Sequence, residues 1–80
     1  MQHIVYTSPV FSNADGSGRK FWIPSNALAT YAKRDECLLK MDELGGIYAK
    51  PTPEFREIRS KMLAARRKIQ REGWFCSPIV

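Results

Sequence analysis

Apolar residues recur at intervals of three and four in the second half of the chain, at Phe55, Ile58, Met62, Ala65 and Ile69. A helix of 3.6 residues per turn places all five on one stripe. Helix-end signals bracket the stretch. Thr52 is a good N-cap, Pro53 suits the first helical position, Glu54 sits where the helix dipole favours an acid, and Gly73 is a natural stop. The pattern predicts a long helix over 52–73. Near the N-terminus the period is two instead. Ile4 and Tyr6 alternate with His3, Val5 and Thr7, which predicts a strand within 3–11. Pro9 either ends that strand or confines it to a sheet edge. The run SNADGSG at 12–18 is dense in turn formers and contains Asp-Gly, a hairpin signal. RKFWI at 19–23 then reads as a second strand, with Phe21 and Ile23 on one face and Trp22 on the other. Together these predict a β-hairpin over 3–23. Two strands alone are barely stable in water, so a helix must cover one face.

Between hairpin and long helix, residues 25–45 carry a helical pattern with a flaw. Ser25 follows Pro24 as an N-cap, and Ala27, Leu28, Tyr31 and Ala32 begin the apolar face. Asp35 and Asp42 then fall on the face that Leu28, Tyr31, Leu38 and Leu39 would bury. The region reads either as one helix or as two, broken near 35, with Asp35 capping a second helix whose Leu38, Met41 and Leu44 point inward. In either version Asp35, Glu36, Asp42 and Glu43 are most simply exposed. Gly45-Gly46 ends the region, and Ile47–Pro51 is a connector expected to tuck Ile47 and Tyr48 into the core. In the tail, 74–80, the apolar cluster Trp74, Phe75 and Cys76 is either a short C-terminal strand beside the hairpin or a lid over the core. The fold class expected is α+β: a small N-terminal β-hairpin packed against two or three helices in a single domain, 1–80.

Composition narrows the function classes. A chain of 80 residues that is 44% hydrophobic is a folded globule rather than a disordered tail, but it is marginal on its own. A partner, or a second copy in a homodimer, is one source of the missing stability. The net charge of +5 favours acidic partners: nucleic acid or an acidic protein surface. No apolar run approaches the roughly 20 residues that cross a bilayer, so no membrane partner is expected. The N-terminus shows no basic region followed by an apolar core, so no signal peptide is read there. Cys37 and Cys76 are then expected as free thiols in a reducing, cytoplasmic setting.

Among candidate chemistries, the arginines stand out. At about 100° per residue, Arg56, Arg59, Arg66, Arg67 and Arg71 share one flank of the long helix, beside the apolar stripe and with Leu63 among them. Lys61 and Lys68 lie on the other side, where Glu57–Lys61 and Lys68–Glu72 are i,i+4 pairs that support the helix. Guanidinium groups bind carboxylates and phosphates bidentately and remain charged at any usable pH. Arg19 and Lys20, at the basic end of the Gly16–Gly18 loop, extend the candidate surface. That loop lacks the spacing and following helix of a phosphate-binding loop and is a hairpin turn. Trp22 and Trp74 are expected to be exposed anchors, with Phe21 and Phe75 in the core. His3, Cys37 and Cys76 are too dispersed for a metal site or a Cys-His nucleophile, so no metal, no cofactor and no enzymatic activity is expected. The function expected is that of a small interaction protein. It would bind a larger nucleic-acid-handling complex through the arginine edge and inhibit or redirect it, much as small proteins of viruses and mobile elements do. The alternative is a DNA-binding regulator of helix-turn-helix or winged-helix type, reading 38–46 and the helix from 52 as the helix pair and 73–75 as the start of a wing.

Overall fold

The computed structural model describes residues 2–79 and shows an α+β fold. Strand β1 spans His3–Ser12 and β2 spans Gly18–Pro24; helix α1 spans Leu28–Glu43 and α2 spans Pro53–Glu72; a two-residue strand, β3, spans Ser77–Pro78. The sheet is antiparallel in the order β1-β2-β3, with Tyr6 opposite Phe21 and Trp22 opposite Ser77. β1 is an edge strand, and its Pro9 falls in the stretch that has no paired position on β2. Its register with β2 shifts between Ser8 and Ser12. The turn closes through the Asn13 amide, which donates to the Ser17 carbonyl, and Gly18 lies so close to Ser8 that a Cβ there would sit 2.6 Å from the Ser8 oxygen.

Alternation sets the two faces of the sheet. Tyr6, Ser8 and Ile23 are buried against the helices, and Val5 and Trp22 lie exposed on the opposite face. The core gathers Tyr6 and Ile23 of the sheet, Ala27 and Tyr31 at the start of the helical layer, and Ile69 and Trp74 at its end. Phe21 and Ile4 pack against this cluster, half-buried.

The helices form an antiparallel hairpin. Ala29, Thr30 and Lys33 of α1 border the same groove as Ala64, Ala65 and Lys68 of α2, and Lys40 and Glu43 lie across from Glu54 and Ile58. α2 has the ends its sequence predicts: the Phe55 amide donates to Thr52 Oγ1 at 3.2 Å, and Gly73 closes the helix at φ 69°. Met62, Ala65 and Ile69 are buried on its stripe, with Phe55 and Ile58 half-buried.

Several expectations change. α1 is continuous through Asp35, and a single 3-10 turn, Ser25–Ala27, precedes it without a side-chain cap from Ser25. Asp35 is neither cap nor surface acid; it is fully buried. Ile47 and Tyr48 stand 91% and 87% exposed, because the connector turns at the far end of the helical hairpin, beyond the reach of the sheet. Leu28, Leu39 and Leu44 are also exposed, while Leu38 and Met41 are half-buried. The two tail aromatics exchange places. Trp74 is 7% exposed and Phe75 75%. The left-handed turn at Gly73 lets the Trp74 amide donate to the Ile69 carbonyl, which drops the indole into the core and swings Phe75 out. The strand then forms just after this plug, at Ser77–Pro78.

This inversion has a measurable consequence. Trp74→Ala is expected to destabilise the fold by about 3–5 kcal/mol, as for other large aromatic truncations in a core. Phe75→Ala is expected to stay within about 0.5 kcal/mol of the parent. Urea unfolding of both variants checks the pair.

Candidate interaction surface

The arginine edge of α2 rests on helix geometry. A stripe buried at Met62, Ala65 and Ile69 forces the residues next to it, at 59 and 66, to its border and those at 56, 67 and 71 further round. All five arginines are exposed. From Arg56 to Arg71 the edge runs about 22 Å at 1.5 Å per residue. Leu63, half-buried, interrupts it with an apolar spot. Among the described residues, Arg56, Arg59, Arg66 and Arg67 have no carboxylate partner; Arg71 alone reaches one, Glu72, at 3.9 Å. On the other side of α2, Lys61 pairs with Glu57 at 3.4 Å. Lys68 does not take Glu72 as its sequence spacing suggested; its Nζ lies 5.8 Å from the centre of the Trp74 ring. The expected division holds only in part: Lys61 is paired with Glu57, but Glu72 lies nearest Arg71 instead of Lys68, and the other four arginines have no carboxylate partner among the described residues.

The remaining candidates do not join this edge. Trp22 is exposed, as expected, but on the sheet face turned away from the helices. Trp74 is buried and cannot anchor a partner. Arg19 and Lys20 are exposed on opposite faces of β2: Arg19 lies opposite Ser8, on the side that meets α1, and Lys20 opposite Thr7. The other exposed aromatic groups among the described residues are Phe11, Tyr48 and Phe75, of which Tyr48 and Phe75 were expected in the core.

A second arrangement, absent from the sequence reading, surrounds Asp35. Its Oδ2 accepts hydrogen bonds from the Tyr6 hydroxyl at 2.5 Å and the Ser8 hydroxyl at 2.9 Å. Its Oδ1 accepts from Arg34 Nε at 3.0 Å and Nη2 at 2.9 Å. The Arg34 guanidinium lies 4.9 Å from the centre of the Tyr31 ring. The Tyr31 hydroxyl in turn donates to the Trp74 carbonyl. A buried carboxylate is tolerated because every lone-pair direction finds a donor and a guanidinium balances its charge. The signal available in the sequence was Asp35 itself, an acid on an apolar face with a basic neighbour and a tyrosine one turn before it.

Burial raises the Tyr6 phenol far above its ordinary value, and the Asp35 carboxylate raises it further by hydrogen bond and by charge. Burial likewise pushes Tyr31 up to about 12, with Cys76 adding to the shift. A raised phenol pKa means that the folded state prefers the neutral form. The associated stability is intact below the ordinary pKa of 10.0 and is lost as pH rises through about 12.

Comparison with protein families, with curated proteins and with solved structures finds no significant match.

Two outcomes follow from the network. Asp35→Ala is expected to cost about 3–5 kcal/mol, because it leaves a guanidinium and two hydroxyls without their acceptor between the sheet and α1. Chemical denaturation of the variant measures it. In an alkaline titration, tyrosinate absorbance from two of the three tyrosines is expected to appear only as the circular dichroism of the fold is lost, above pH 10. Ionisation of all three on an intact fold would contradict the burial of Tyr6 and Tyr31.

Proposed function

We propose that the protein is a non-enzymatic interaction module that docks the arginine edge of α2 onto an acidic surface of a larger, nucleic-acid-handling protein complex and so inhibits or redirects it. The observation that carries this reading is the set of four exposed guanidiniums, Arg56, Arg59, Arg66 and Arg67, with no carboxylate partner among the described residues. Exposed arginines around an apolar spot are the composition of a protein interface: bidentate donors for carboxylates, with Leu63 between them to exclude water.

The molecular shape supports a partner. The radius of gyration is 13.5 Å, against about 11.6 Å for a compact domain of this length. The accessible surface is 5906 Å², against about 4,900 Å² for a compact monomer of this mass. The surplus is comparable to one side of a standard protein interface, about 800 Å². Free thiols at Cys37 and Cys76 suit action in the reducing cytoplasm, and no helix among the described residues is long and apolar enough to cross a membrane.

Direct DNA binding is the second reading, favoured by the same charge. It is less well supported by the helix pair, whose members lie alongside each other rather than crossing steeply, and by a connector that projects Ile47 and Tyr48 instead of making a tight turn.

The combined variant Arg59→Ala, Arg66→Ala, Arg67→Ala is expected to fold with an unchanged melting temperature and to lose capture of a partner from cell lysate by at least tenfold. The loss should be the same with and without nuclease. Capture that survives the triple change removes the arginine edge from the reading. Capture abolished by nuclease, with affinity for random duplex DNA that collapses between low and moderate salt, transfers the edge to the DNA-binding reading.

A further inference from the structure

A cavity of about 260 Å³ opens between the inner face of the sheet and α1, and none of its lining belongs to α2. Phe11 and Phe21 form one wall, edge to face with ring centres 6.0 Å apart. Tyr31 and Arg34 of α1 form the other, Arg19 stands on the β2 side, and Cys76 is at the rim. The charge in this space does not balance. It holds two guanidiniums, Arg19 and Arg34, and the one carboxylate near them among the described residues, Asp35, is already saturated by Arg34, Tyr6 and Ser8. Arg19 has no carboxylate partner among the described residues.

Arg34 is held ready for a second acceptor. Only its Nε and one Nη2 hydrogen are spent on Asp35, with the guanidinium carbon 4.9 Å from the centre of the Tyr31 ring. A guanidinium carries five N–H donors, so three remain for a visitor. A preorganised donor loses less freedom on binding than one that must first be ordered.

We propose that this cavity binds a monocarboxylate carried on a single aromatic or similarly flat apolar group. The carboxylate would bridge Arg19 and Arg34, and the apolar body would lie against Phe11 and Phe21. Three features choose this class. One uncompensated positive charge suits a monoanion rather than a phosphate dianion. The fork of a guanidinium matches the two oxygens of a carboxylate. The volume falls below the roughly 300–1,000 Å³ of pockets that hold drug-sized ligands, which leaves room for one ring and excludes a nucleotide. The source is either a free small acid or a peptide ending in an aromatic residue, since both present the same group. The site is independent of the α2 edge, and its failure would leave that reading untouched.

The test is a titration of the whole protein with 3-phenylpropionate, followed by amide NMR. Saturable shifts are expected at Ser8, Arg19, Phe21 and Arg34. Reaction of Cys76 with a thiol reagent should slow in parallel, because Cys37 is buried and Cys76 is exposed. The uncharged analogue 3-phenylpropanamide is expected to bind at least tenfold more weakly. Arg19→Gln, an exposed position whose change leaves the Asp35 network whole, is expected to retain the native spectrum and to lose at least tenfold in affinity. N-acetyl-Ala-Phe with a free C-terminus, compared with its C-terminal amide, separates the sources: binding of the free acid matching or exceeding that of 3-phenylpropionate assigns a peptide terminus, and weaker binding assigns a small acid. Equal binding of acid and amide, shifts that map elsewhere, absence of saturation, or full affinity in a folded Arg19→Gln protein would each overturn the proposal.

Discussion

A carboxylate with no access to water ties the two layers of this protein together. Asp35 of α1 receives hydroxyl hydrogen bonds from Tyr6 and Ser8 of β1 and two guanidinium bonds from Arg34. Buried ion pairs of this kind add little net stability over an apolar substitute, but they tolerate only one geometry. The donors sit at alternate positions of β1, one face of the strand, so the network fixes which face meets α1 and where along the helix it does so. From the preceding turn of α1, the Tyr31 hydroxyl reaches the Trp74 carbonyl and pins the chain that follows α2. α1 is thereby held on both sides, by the sheet and by the segment after Gly73.

α2 depends on that arrangement. It buries Met62, Ala65 and Ile69 and leaves the flank beyond them in solvent. The protein is thin as a result, 39 × 32 × 14 Å along its principal axes, and the far end of its helical hairpin extends past the sheet with Ile47 and Tyr48 uncovered. A small domain that exposes this much surface is short of core, and association is the usual remedy. The arginine row lies on the flank that the internal packing does not use. The Arg19–Arg34 cavity is a different consequence of the same network, since Asp35 is what orients Arg34 toward it.

What could be read from the sequence was what local rules decide. The hairpin followed from alternation and an Asp-Gly turn, and α2 followed from a period of 3.6 between a Thr-Pro start and a glycine stop. The position of the arginines on the α2 flank followed from the same period. Asp35 escaped because its partners Tyr6 and Ser8 lie 29 and 27 residues away, and a helical period alone treats an acid on an apolar face as a break. Trp74 and Phe75 were interchanged because the left-handed turn at Gly73 decides which of two adjacent side chains faces inward. Ile47 and Tyr48 were placed inside on hydrophobicity, although no layer of the fold reaches them. Arg34, the residue that joins the buried network to the cavity, carried no signal beyond its place next to Asp35 and after Tyr31.

The division between one locked guanidinium and four open ones can be observed directly by NMR of the arginine Nε–Hε groups, through their exchange with water. Arg34 is expected to give a slowly exchanging signal, protected by its bond to buried Asp35. Arg56, Arg59, Arg66 and Arg67 are expected to exchange rapidly, as free side chains do. Protected, slowly exchanging signals from those four in the isolated protein would show them already bound to carboxylates of their own chain and would contradict an edge held open for a partner.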